Sequence, residues 1–150
     1  MTTGDLPAPL AEIAAELTAA TTRQRLDMLL EFSDELPDLP ERYAGRLDEL
    51  EQVDECQAPV FLTVEVDEDP EQHVHLFVDA PAEAPTTRGF AGILHAGLDG
   101  VPAQQVLGVP DDAPMRLGLA EAVSPLRVRG MVGMLSRIKR QVRLKAAVAG

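Results

Sequence analysis

The stretch PVFLTVEVDEDPEQHVHLFVDA, residues 59–80, decides the fold. Its two flanks are rich in β-branched and aromatic residues and alternate at period two, the pattern of strands with one buried face. Val60, Leu62, Val64 and Val66 fall on one side of the first strand, and Phe61, Thr63 and Glu65 on the other. The six residues between, DEDPEQ, are polar and contain Pro70, which reads as a turn. The spacing predicts an antiparallel hairpin, with an edge strand around residues 49–54 as its third member.

Helical patterns lie on both sides. Leu10, Ile13, Ala14 and Leu17 recur at helical spacing. Thr21 followed three residues later by Gln24 reads as a capping box for a second helix, with Leu26, Leu29, Leu30 and Ser33 along one face. Pro37 and Pro40 end it. Residues 41–55 are strongly acidic and read either as a helix or as an extended approach to the hairpin. After it, Thr86 and Thr87 are expected to cap a helix from about Arg88 to Leu98, and a short helix is expected from Pro102 to Leu107. VPDDAP (109–114) reads as a loop. The last helix starts with Ser124 as N-cap and Pro125 at its first position, and carries the stripe Val128, Met131, Leu135, Ile138, Val142. The order αα–βββ–ααα predicts an α+β fold, a small three-stranded antiparallel sheet with helices packed on one face.

Composition excludes several function classes. The net charge is −12, whereas a nucleic-acid partner calls for a basic surface. Seven of the 13 basic residues fall between Ser124 and Gly150, where there is no acidic residue, leaving all 25 acids in the first 123 positions. A basic last helix beside an acidic body reads as a solvated face with favourable helix-dipole placement. No apolar run approaches the roughly 20 residues that span a bilayer, and the first residues lack the signature of a signal peptide. The expectation is a cytoplasmic protein whose thiol stays reduced. One cysteine supports neither an internal disulfide nor a cysteine-rich zinc or iron–sulfur site. His73 and His75 share a strand face but have no third ligand in the pattern, and His95 lies on the mostly apolar helix FAGILHAGL. No metal site and no phosphate loop is expected.

The residue with chemistry is Cys56, in VDECQAP. Buried free cysteine is most often a small core residue. The neighbours Asp54, Glu55, Gln57 and Pro59 instead suggest a turn at a strand end, and from these residues alone the structural and reactive readings stand level.

Four segments in one order resemble the SufE family of cysteine desulfuration proteins: LLEFSDELPDLPE (29–41), VDECQAPVFL (53–62), APTTRG (84–89), and LGLAEAVSPLRVRGM (117–131) with MLSRI (134–138). The resemblance covers roughly residues 10–142. It implies one SufE-like domain over residues 1–150, frayed at 1–9 and 146–150, with a SufE/IscU-like fold. It further implies that Cys56 accepts sulfur as a persulfide from a SufS-type cysteine desulfurase and delivers it to an iron–sulfur assembly scaffold. The chain would hold no cofactor of its own, the pyridoxal phosphate belonging to the desulfurase. The family context Gly-Cys-Gln-Ser-x-Val-Trp is kept at Cys56, Gln57 and Val60 and departs at Glu55, Ala58 and Phe61.

The attacking species in such chemistry is the thiolate, which nearby positive charge favours. Asp54 and Glu55 act against it and should raise the thiol pKa. Arg127, matching the family's Ser/Thr-Pro-x-Arg pattern, is the first candidate for a compensating cation, and Arg88 the second. An IscU-type scaffold is disfavoured by the single cysteine. A non-catalytic SufE-fold protein that regulates a desulfurase is the alternative, favoured by the departures at Glu55 and Ala58.

Overall fold

A computed structural model describes residues 6–149, with side chains to Ala146. Six helices and a three-stranded antiparallel sheet follow in the order α1 (Ala8–Ala19), α2 (Thr22–Glu35), β1 (Glu51–Gln52), β2 (Phe61–Val66), β3 (Val74–Asp79), α3 (Pro85–Leu98), α4 (Ala103–Leu107), α5 (Ala113–Arg116) and α6 (Pro125–Ala149). The α+β class and the three antiparallel strands match the expectation, with strand order β1-β2-β3. Residues 1–5 and 150, part of the stretches expected to fray, lie outside the described residues. Within the remainder Leu6 is buried and α1 has already begun at Ala8.

Alternation fixes the register. Leu62 faces Val78, Val64 faces Leu76 and Val66 faces Val74 across β2 and β3. Val60, Leu62, Val64, Val74, Leu76 and Val78 are buried and join one contiguous core with α1, α3 and α6. On the opposite face the turn at 41–45 lays Tyr43 against Phe77, ring centroids 5.3 Å apart, and Tyr43 and Arg42 both bond Glu65. The acidic approach is thus neither a long helix nor a long strand. It is this turn, a 3₁₀ turn at Leu47–Glu49 and a strand of only two residues.

A short β1 leaves most of the β2 edge without a strand partner. Helix α6 takes its place: the Val64 N–H donates to Gln141 Oε1 at 2.9 Å, and Lys145 donates to the Val64 carbonyl. The first half of the outer edge of β3 is covered by the segment after α3. Val74 N–H donates to the Val101 carbonyl at 2.9 Å, Gly100 N–H returns to the Val74 carbonyl at 2.6 Å, and Leu76 N–H donates to Asp99 Oδ1 at 2.9 Å.

The helix boundaries follow local chemistry. The Thr21–Gln24 capping box is formed in both directions, and α2 stops at Leu36, whose extended backbone suits a residue preceding proline. Leu29 and Ser33 are buried there, but Leu30 points outward and is 45% exposed. Helix α3 begins at Pro85, earlier than the threonines suggested, because proline fits the first helical position and its missing N–H is not needed there. Thr86 and Thr87 therefore lie inside the first turn, and the Thr86 hydroxyl bonds Arg127 instead. The end of VPDDAP starts a four-residue helix, α5, where a loop was expected. Ser124 caps α6 as read, accepting the Arg127 N–H at 3.3 Å, and Met131, Leu135, Ile138 and Val142 are buried along it.

Candidate functional site

Cys56 sits at the tip of the loop that joins β1 to β2. The base of the loop is clamped by buried Val53, whose N–H donates to the Val60 carbonyl at 2.9 Å. The Cys56 N–H closes a turn onto the Val53 carbonyl at 3.1 Å. Polar residues at 54, 55 and 57 stay out of the core, and the hairpin reverses around them.

The tip lies directly on α6. The half-buried Cys56 thiol donates to the Gly130 carbonyl, with sulfur and oxygen 3.7 Å apart. That approach depends on glycine. A Cβ at position 130 would lie 3.0 Å from the sulfur, and one at 133 would lie 2.7 and 2.8 Å from the Cδ and Cβ of Glu55. Gly130, Gly133, Arg137 and Gln141 recur at helical spacing, so they form a second stripe of α6, beside the apolar one, that receives the loop.

A cavity of about 210 Å³ opens beside the thiol. Its lining includes Cys56, Gln57, Ala84, Thr87, Leu126 and Arg127. Ala84 is the N-cap of α3, and Leu126 and Arg127 belong to the first turn of α6, so two helix N-termini face this space. Helix N-termini carry partial positive charge. Arg127 lies at the rim, its Nη1 donating to Thr86 Oγ1 at 2.8 Å.

Burial pushes the Cys56 thiol up, the Glu55 carboxylate pushes it further, and Arg137 opposes both; the result is about 11, against an ordinary value near 9.0. The group is therefore a neutral thiol at pH 7. Glu55 is held below the usual carboxylate range, first by the Arg137 side chain and then by its own backbone N–H. Arg137 reaches Glu55 Oε1 through Nη2 at 2.8 Å and Nε at 3.2 Å, and Glu51 Oε2 through Nη1 at 2.7 Å.

The two arginines singled out from the sequence part company. Arg127 lines the Cys56 cavity. Arg88 does not: it donates to the carbonyls of Ser33 at 2.9 Å, Ala80 at 2.6 Å and Leu36 at 3.3 Å, pinning the end of α2 and the end of β3 to α3. The cation electrostatically coupled to the thiol is Arg137, which the sequence reading missed. Its signal was the glycine–glycine–arginine spacing on α6.

His73 and His75 are occupied by carboxylates. His73 Nδ1 hydrogen-bonds Asp69 Oδ2 at 2.5 Å and His75 Nε2 hydrogen-bonds Asp67 Oδ2 at 2.8 Å. Asp67, Asp69 and His73 bring potential ligand atoms within 4.8 Å of one another, but their polar atoms already serve this turn. No helix among the described residues is long and apolar enough to cross a membrane.

The family described as "SufE: Fe-S metabolism associated domain" matches residues 11–142. The chain belongs to the SufE family. An uncharacterized SufE-like protein of Mycobacterium tuberculosis is 53% identical over 138 residues, which cover 92% of this chain and 94% of the relative. SufE-like protein 1, chloroplastic/mitochondrial, of Arabidopsis thaliana is 25% identical over 91% of this chain but only 35% of its own length. The solution structure of a hypothetical protein from Thermus thermophilus superposes with a TM-score of 0.82 at 35% identity, covering 95% of this chain and 98% of that one. The SufE fold read from the four segments is thus the fold observed.

Proposed function

We propose that this chain is a sulfur-relay protein that takes a persulfide sulfur on Cys56 from a SufS-type cysteine desulfurase and passes it to an iron–sulfur assembly scaffold. The observation that carries this reading is the chain's one thiol at a hairpin tip, bordering a cavity that two helix N-termini and Arg127 face. Membership of an Fe–S metabolism family supports it.

The chemistry balances without a cofactor of this chain. Cys56 first loses its proton, and its thiolate attacks the outer sulfur of the donor's persulfide. A sulfur–sulfur bond forms at Cys56 while the donor's own breaks. The donor cysteine leaves as a thiolate with the electron pair and takes up the proton. The sulfur arrives as a persulfide on Cys56, and no net oxidation occurs. In this reading the two helix ends favour the anionic sulfur, Arg127 lines the space the donor's persulfide enters, and Arg88 only holds the scaffold. A reducing compartment such as the cytoplasm suits a carrier with one free thiol.

Intact-mass spectrometry after incubation with a cysteine desulfurase and cysteine tests the reading. The native chain should gain one sulfur atom that reductant removes, and Cys56→Ser should gain none. No added sulfur with the cognate desulfurase overturns the relay. One observation favours a regulator instead: the thiol is held protonated beside Glu55. Equal acceleration of the desulfurase by the native chain and by Cys56→Ser would select that reading.

A further inference from the structure

The cysteine loop is fastened to α6 chiefly through the carboxylate of Glu55. Glu55 folds its side chain across the bare backbone of Gly133 and presents Oε1 to two N–H groups of Arg137. Arg137 is itself gripped from the other side by Glu51 on β1, and Asp54 Oδ2 lies 3.9 Å from its Nη2. The tip also meets the helix through the sulfur contact to Gly130, a weak hydrogen bond.

We propose that the Glu55–Arg137 ion pair is an electrostatic latch that holds the cysteine loop closed on α6, and that its release exposes Cys56 for reaction. Its use in sulfur transfer rests on the relay reading above, but the latch is a property of the free protein. Glu55 and Arg137 are positioning residues and touch no reacting atom. The pair suits this work because opening strands no charge. Arg137 keeps Glu51 when Glu55 leaves, and Glu55 is solvated at once. The Arg137 side chain is 19% exposed and that of Glu55 34% exposed, so water already reaches the pair. A latch of this kind biases the loop without locking it.

Arg137→Met decides the matter, because charge and latch then predict opposite signs. Arg137 favours the Cys56 thiolate, so loss of its charge alone slows alkylation by a small reagent at neutral pH. Loss of the latch speeds it, and we expect a net gain of up to about fivefold. Gly133→Ala changes no charge. Its methyl group displaces the Glu55 side chain, so alkylation should again rise. In both variants the Cys56 amide, bonded to the Val53 carbonyl, should lose protection against hydrogen exchange while the amides of β2 and β3 keep theirs. Slower or unchanged alkylation in Arg137→Met, or an unchanged rate in Gly133→Ala, overturns the proposal. If the sheet amides show that Arg137→Met does not fold, Gly133→Ala carries the test alone. Sulfur loading of the native chain is scored separately by mass. A native chain that takes up no sulfur, with variants that alkylate faster, would lose the relay and keep the latch.

Discussion

A methyl group at position 130 would sit 3.0 Å from the Cys56 sulfur and 3.4 Å from its Cα. Two effects then compete. Alanine is better than glycine inside a helix by about 1 kcal/mol. The close contact must be relieved, and the half-buried thiol loop moves more easily than the helix. Gly130→Ala should therefore stay within about 1 kcal/mol of native stability in a urea melt while Cys56 alkylates faster. A slower rate would show that the thiol does not seat against α6. The native chain should also alkylate with an apparent pKa far above the roughly 8.5 of a model thiol, near about 11. Glu55→Gly should lower that value, and Arg127→Ala should leave it nearly unchanged, because burial, Glu55 and Arg137 set it. A profile centred at or below the model thiol refutes the picture. Of the two acidic neighbours expected to raise the thiol pKa, Glu55 does so, and that much was legible in the sequence. Burial, the largest cause of the rise, was not, because it depends on which helix face the loop lands on.

Leu135 and Ile138 are fully buried at the centre of α6, beneath the sheet. Truncating either to Ala should destabilise by about 2–5 kcal/mol, read as a lower denaturant midpoint at unchanged slope. No change would mean that the helix does not pack on its apolar stripe. That stripe was legible because it repeats at 3.6-residue spacing, and so were the hairpin, through its alternation, and the capping box at Thr21. What escaped were contacts made by the absence of a side chain. Gly89 and Gly92 let α3 approach the α2 backbone so closely that a Cβ at either would clash with the carbonyl of Leu29 or Phe32. Gly130 and Gly133 do the same for the cysteine loop. Glycine leaves no hydrophobic signal, so a sequence shows where such contact is permitted but not what fills it. Arg88 shows the converse. Its motif position suggested chemistry, and three backbone carbonyls at the meeting of α2, β3 and α3 claim it instead.

Across the whole molecule, stability should fall at both ends of the pH range for different reasons. Glu55, held low first by Arg137, and Glu51, where bonds from Gln141, Arg140 and Arg137 outweigh burial, both titrate below the usual range. Glu65 is likewise lowered despite burial, by Tyr43 and Arg42. A depressed carboxylate stabilises the fold above its unfolded pKa, so thermal midpoints should drop as pH falls from about 5 through the acid range. Cys56 has the opposite sign. Its raised pKa favours the folded state fully below the unfolded value and less as pH rises from 9.0 to about 11. The native chain should lose on the order of 2 kcal/mol relative to Cys56→Ser across that window. Parallel alkaline melts of the two proteins would remove the thiol from the account. The acidic body and basic last helix, visible in composition, meet in the Glu51–Arg137–Arg140 contacts, so the charge segregation is partly an internal adhesive. The sheet has a further consequence. A strand margin with unspent amides and carbonyls is a template on which a neighbouring chain can grow a fibril. Here Gln141 and Lys145 occupy one margin and Asp99 to Val101 the other. The hairpin tip can therefore open while Val64, Val74 and the Leu76 amide stay paired and withheld from a neighbouring strand, since none of these contacts is made by residues 54–58.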